Sequence, residues 1–115
     1  MIDPNPAFDP NPAFGPNPAF DTVHPSGHIL VRSCRGGYMY SVALTEEAMD
    51  SDAETLAKGI LLTADVSYLK ALLEVRGEIV AAGHAPSAEV PTPRDLDTAI
   101  EKLLAHKLRR RAGAG

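Results

Sequence analysis

The sequence predicts an α+β chain: a three-stranded antiparallel meander packed on one long helix, with a further helix at the C-terminal end. Three observations carry this expectation. Residues 20–47, "FDTVHPSGHILVRSCRGGYMYSVALTEE", alternate apolar and polar side chains and are rich in β-formers, broken by two glycine-bearing turns. Residues 52–82 then place apolar side chains at helical spacing. From residue 91, "PTPRDLDTAIEKLLAHKLRRR" repeats that spacing behind a threonine and a proline.

The chain opens differently. "DPNPAFDPNPAFGPNPAF", residues 3–20, is one six-residue unit written three times. Its six prolines fix φ and remove amide donors, which forbids helix and discourages an interior strand. Residues 1–20 are therefore expected to be extended, solvated and disordered, adding slack rather than chemistry. Phe20, in the last unit, adjoins the first strand.

The meander follows in order. Val23 lies on a short first strand, and Pro25-Ser26-Gly27 turns the chain. Residues 28–34 form the second strand, with Ile29 and Val31 on one side and Leu30 and Arg32 on the other. Gly36 and Gly37 accept the positive φ of a hairpin loop. Residues 38–44 form the third strand, with Tyr38, Tyr40, Val42 and Leu44 on one face. Such a meander needs a helix against it. Ser51 and Glu54 read as a capping box for that helix. Leu56, Ile60, Ala64, Ala71, Val75 and Ile79 form one stripe, and Leu61, Tyr68 and Leu72 form a second stripe beside it. This combined face is wider than three strands require, so the surplus predicts a partner, most simply a second copy. Gly83 stops the helix and residues 84–92 link to the next. There Thr92 caps, Pro93 takes the first position and Asp95 joins an acidic first turn. Leu96, Ile100, Leu103 and Leu104 form an apolar stripe expected to stand free for the dimer or another protein. The helix is expected to run over 93–111, leaving 112–115 as a disordered tail.

Composition limits the function classes. In 115 residues there is room for one domain, and a chain this small favours self-association. The net charge of −4 combines acidic stretches with a basic end at Lys107, Arg109, Arg110 and Arg111. One cysteine permits no intrachain disulfide. No signal-peptide pattern or membrane-length apolar run is present, so the expected location is the cytoplasm, without membrane attachment.

"GHILVRSCRGGYMYSVALTEEAMDSDAETLAKGILLTADVSYLKAL" resembles the core of the YbaB/EbfC family of small bacterial proteins. The features that carry the likeness are Gly27 before an alternating strand, Gly36 and Gly37 in the hairpin, and Val42 and Leu44 closing the third strand. Asp50 and Asp52 in an acidic linker, then Leu56, Ala57, Ile60 and Ala64 on the helix, complete it. The likeness spans roughly residues 23–75, with a YbaB-like unit at 21–83. It implies a homodimer, and sequence-tolerant DNA binding in several members. The long charged helix that precedes the family's sheet has no counterpart here, where the proline repeats stand. With "VPTPRDLDTAIEKLL" included, the chain looks nearest to the branch associated in mycobacteria with type VII secretion, of the EspD and EspH kind. That implies a non-enzymatic accessory or interaction protein, with a nucleoid DNA binder as the alternative.

The candidate sites are few. Cys34 lies near Arg32 and Arg35, cations that lower a thiol pKa. A nucleophile also needs a base and an oriented third group, and His28, six residues away on the same strand, shares its face without touching. Cys34 therefore reads as a small half-buried strand residue. His24, His28, His84 and His106 lack metal-ligand spacing, so no metal or cofactor is expected. Gly36-Gly37 leads into a strand rather than a helix and so forms a turn, not a phosphate cradle. Glu46, Glu47, Asp50, Asp52 and Glu54 suit a solvated helix start better than a catalytic acid pair. Lys107, Arg109, Arg110 and Arg111 are the DNA candidates, giving weak and salt-sensitive contact. Leu61, Tyr68, Leu72, Leu96, Ile100, Leu103 and Leu104 are the partner or dimer candidates.

Overall fold

The computed structural model describes residues 15–111; the first two proline units and the tail 112–115 lie outside these residues. The third unit is folded, which corrects the expectation of disorder up to residue 20. Asn17 accepts the Ala19 amide on its side chain at 2.9 Å, and Pro18 then starts a 3-10 turn over Pro18–Phe20. Pro tolerates that first position, where the amide it lacks would be unpaired anyway. The turn drives Phe20 into the core, where it is 2% exposed. The folded unit therefore begins before residue 21.

The meander forms as predicted. Strands β1 (Thr22–Val23), β2 (Ile29–Ser33) and β3 (Met39–Leu44) make one antiparallel sheet in the order β1-β2-β3. Thr22 sits opposite Val31, Ile29 opposite Leu44, and Val31 opposite Val42. Gly36 and Gly37, at φ 91° and 92°, close the β2–β3 hairpin. One irregularity interrupts the register: Arg32 faces Ser41 while Ser33 faces Met39, so Tyr40 bulges. A single-turn helix, α1 (Glu46–Met49), capped by Thr45, follows the sheet in a stretch expected to be linker.

The long helix is α2 (Ala53–Ala81), within one residue of the expected ends. Its cap differs. Asp52, not Ser51, accepts an amide on its side chain, from Thr55 at 3.0 Å. Ser51 is instead buried in an extended bridge with Arg110, so the helix starts one residue later. Gly83, at φ 86°, ends the motif, with the His84 amide reaching back to the Ile79 carbonyl at 3.1 Å.

The face that α2 turns to the sheet is not the expected one. Gly59, Thr63, Ser67 and Ala71, four residues apart, are all buried. Small side chains bring the helix close: a Cβ on Gly59 would lie 3.1 Å from the Ile29 side chain. The hydroxyls this buries are partnered. Ser67 donates to the Phe20 carbonyl at 2.7 Å, so its oxygen accepts from Ser33 at 2.6 Å, and Thr63 donates to the Gly59 carbonyl at 2.7 Å. Of the expected stripe only Ala71 is fully buried; Leu56, Ile60, Ala64, Val75 and Ile79 are half-buried.

On the neighbouring flank of α2, Leu62, Val66 and Leu69 meet Leu96, Ala99, Ile100 and Leu103 of α3 (Pro93–Ala105). Thr92 and Asp95 form a full capping box at the start of α3. The helix ends at Ala105 rather than continuing to 111. From His106 the chain runs extended as a strap over the start of α2. Asp52 donates its amide to the Arg109 carbonyl at 2.6 Å, and Arg111 donates to the Asp50 carbonyl at 2.9 Å. These partners replace the helical bonds that residues 106–111 give up.

Candidate functional site

Two features stand out once the layers are in place: an uncovered strand and a histidine seam. The first arises because α2 crosses β2 and β1 and scarcely reaches β3. Residues paired across an antiparallel ladder share a face. Val42 and Leu44 therefore point to the same side as Val31 and Ile29, which are buried beneath α2. Yet Val42 and Leu44 are each 37% exposed, with Tyr40 at 50% and Tyr38 at 76%. Helical spacing puts Ile60, Ala64 and Tyr68 on the flank of α2 next to this overhang. The Tyr68 ring and Leu72 lie over Gly37 at the hairpin tip. The result is an apolar shelf along the last strand of the sheet. Residues Met39–Leu44 contain neither a charge nor a proline, the usual guards of an edge strand.

The partner candidates from the sequence divide accordingly. Tyr68 and Leu72 belong to the shelf. Leu61 is 67% exposed but lies beside Lys58, His106 and Arg109, away from β3. On α3 the expectation of a free stripe is corrected for three of four residues. Leu103 is buried against α2, with Leu96 and Ile100 packed around it, and Leu104 alone is open. The stripe the sequence assigned to a partner is spent inside the chain.

The second feature joins the two ends of the fold. His24, buried at the end of β1, has its Nε2 2.9 Å from Nδ1 of His106, the first residue of the strap. The two rings meet edge to face with centroids 5.1 Å apart. The Ser26 backbone amide donates to His24 Nδ1 at 3.0 Å. An amide can only donate, so Nδ1 is bare and the His24 proton sits on Nε2. His24 thus donates to His106 Nδ1. Burial, then the nearby His106 and His28, hold the His24 pKa below the ordinary histidine value. His28, facing the same hollow, bonds through Nδ1 to Thr45 Oγ1 at 2.8 Å. Sequence reasoning missed this seam: 82 residues separate His24 from His106, and only the turn of the chain after α3 unites them.

The remaining candidates lie apart from these two features. Cys34 is half-buried at the hairpin, and its amide donates to the Tyr38 carbonyl at 2.7 Å. Among the described residues no three histidine, cysteine or acidic side chains are grouped to hold a metal. No helix among them is long and apolar enough to cross a membrane. The basic residues are not a free tail. Arg109 lies 3.9 Å from Asp52 and shares a hollow with Glu54, while Arg110 shares one with Glu47 and Asp50. At the start of α2, Arg109 and Arg110 therefore stand among acidic side chains.

The comparisons with known proteins correct the resemblance drawn from the sequence. The family described as "Protein of unknown function (DUF2694)" matches residues 13–109, and not YbaB/EbfC. An alternating meander with a glycine hairpin and an Ala/Leu-rich helix is too degenerate a pattern to identify one family. The chain is 82% identical over 111 residues to "Uncharacterized protein Rv0028" of Mycobacterium tuberculosis (strain ATCC 25618 / H37Rv). It is equally similar to "Uncharacterized protein Mb0029" of Mycobacterium bovis, with 96% of this chain and 98% of the relative covered. No solved structure matches. The family match begins at residue 13 and ends at 109, so it takes in the folded third proline unit, the sheet, all three helices and most of the strap; the chain belongs to the DUF2694 family.

Proposed function

We propose that this chain works by contact with another protein chain rather than by chemistry, and that its first partner is a second copy joined along β3. The observation that carries this reading is the apolar shelf of Tyr38, Met39, Tyr40, Val42 and Leu44, flanked by Tyr68. An edge strand offers unpaired backbone groups, and antiparallel pairing of two β3 strands about a two-fold axis satisfies both copies identically. The bulge at Tyr40 leaves residues 41–44 regular for that pairing. No charge on the strand opposes its own copy. The exposed apolar side chains along and beside β3 supply part of the ~800 Å² a standard interface buries on each side. The secretion association loses its support along with the resemblance that suggested it. DNA binding through Lys107, Arg109, Arg110 and Arg111 draws less support, because acidic side chains line the hollows of Arg109 and Arg110.

Light scattering on the eluting protein tests the reading. At micromolar concentration the mass should be that of two chains. Val42→Lys places a charge in each copy of the seam and should weaken association about 100- to 1,000-fold, at roughly 2 kcal/mol per copy. Its circular dichroism should be unchanged, since Val42 is exposed in the single chain. A wild-type chain that stays monomeric up to about 100 μM, well above the affinity range of stable dimers, overturns the proposal.

A further inference from the structure

We propose that the His24–His106 pair is a proton-operated latch that fastens the C-terminal strap, residues 106–111, to the sheet and to the start of α2. The Ser26 amide occupies His24 Nδ1, so the single hydrogen bond across the seam runs from His24 Nε2–H to His106 Nδ1. Both acceptor nitrogens must be unprotonated for this arrangement. A proton on His106 Nδ1 sets donor against donor at 2.9 Å. A proton on His24 Nδ1 sets a second donor against the Ser26 amide at 3.0 Å, leaving only the Ser26 hydroxyl, at 2.8 Å, to accept it. Transferring the shared proton to the other ring moves the cost to the turn. His24 Nδ1 must then carry its hydrogen to a Ser26 hydroxyl that already accepts from the His28 amide, and the Ser26 amide loses its acceptor. The latch therefore closes when both rings are neutral and opens as they charge.

The surroundings add to this bias. From the β1–β2 turn His28 faces the same hollow, and from the strap Lys107 does so. On the other side of His106 stand Glu54 and Lys58 of α2 and Arg109 of the strap. Only Glu54 among them favours added positive charge. The low pKa of His24 follows from burial first and from the two neighbouring histidines second.

What the latch holds is specific. Past His106, Leu108 lies near Gly59, and the Arg109 carbonyl accepts from the Asp52 amide at 2.6 Å and from the Thr55 hydroxyl at 3.4 Å. Arg111 ends the strap with its amide on the Asp50 carbonyl at 2.9 Å. Release at His106 frees the strap from its α3 side, uncovers the Gly59–Ile29 seat of Leu108, and separates the basic residues from the acidic start of α2. Near neutral pH the strap is closed, and mild acid opens it.

Amide exchange on the full chain, read by NMR and divided by the intrinsic rate at each pH, tests the latch. The amides of Asp52 and Arg111 report the strap, and that of Val66 reports the middle of α2. Between pH 7.5 and 5.5, protection at Asp52 and Arg111 should fall at least about tenfold while Val66 is unchanged, with the fall tracking ring titration. His106→Asn keeps an acceptor near the Nδ1 position without titrating, and His24→Gln keeps a donor near Nε2. Either variant should hold the strap and flatten the pH response. Nitrogen shifts at pH 7.5 should show His24 protonated on Nε2. Strap protection that is flat with pH in the wild-type chain overturns the latch, as does an undiminished fall in both variants.

Discussion

Phe20 and Ser67 show how much of this fold is decided by single side chains far apart in sequence. Phe20 closes a proline repeat that otherwise reads as spacer, yet its ring and its carbonyl both belong to the core. Its role was half legible, because it adjoins a strand, but nothing local says that a third copy of a unit will fold. The Ser33–Ser67–Phe20 chain of hydrogen bonds was not legible at all, since serine on a helix ordinarily signals an outward face. Ser67→Ala leaves the Ser33 hydroxyl without its buried partner and the Phe20 carbonyl with only the Thr22 hydroxyl at 3.3 Å, and should cost about 1–3 kcal/mol. Phe20→Ala should cost about 3–5 kcal/mol through the cavity it opens. Urea titration followed by circular dichroism measures both. His24 adds a pH term whose sign is fixed. Its pKa is lower folded than unfolded, so the unfolded chain takes up the proton first. Stability should fall as pH drops below about 6.5 and level off below the folded value. The same titration repeated on His24→Gln should lack that fall.

At the scale of elements, the periodic segments were read to within one or two residues, and the errors lie where tertiary contact overrides a local rule. Alternation placed all three strands, and Gly83 and Thr92 marked helix ends by chemistry that depends on nothing distant. Side-chain size misled on α2, because the face toward the sheet was sought among the large apolar residues while the small residues Gly59, Thr63 and Ser67 are the ones buried there. The extended strap could not be read from "HKLRRR", whose helical propensity is overruled by backbone partners at residues 50–52. The hairpin offers a controlled test of how α2 meets β3. Gly27 and Gly37 both have positive φ, but a Cβ at Gly27 meets nothing while one at Gly37 would sit 2.6 Å from the Tyr68 ring. Gly27→Ala should cost about 1–2 kcal/mol for the backbone alone. Gly37→Ala should cost that plus about 1–3 kcal/mol for the overpacked ring, read as the difference between their unfolding free energies. Equal losses at the two positions would mean that Tyr68 swings away freely.

For the whole molecule, the exposed apolar surface lies partly elsewhere than the sequence placed it. The α3 stripe is consumed by α2, and the open surface lies instead along β3, where a strand overhangs its helix. The net charge of −4 says little about partners, since the basic strap is folded back onto the acids that would otherwise stand alone. If two copies share the β3 seam, assembly is linked to folding, and stability depends on protein concentration. Each tenfold rise in concentration adds about 1.4 kcal/mol per dimer. For a pair of this combined size that shift raises the melting temperature by about 3–5 °C. Calorimetric scans at about 5, 50 and 500 μM, a range set to span micromolar affinity, should show this climb for the wild-type chain and a constant midpoint for Val42→Lys. A wild-type midpoint indifferent to concentration, with the single-chain mass seen in solution, would leave the shelf as exposed surface belonging to a monomer. A climb that survives in Val42→Lys would instead move the seam to another face, with Leu61 and Leu104 the next large apolar side chains in the open.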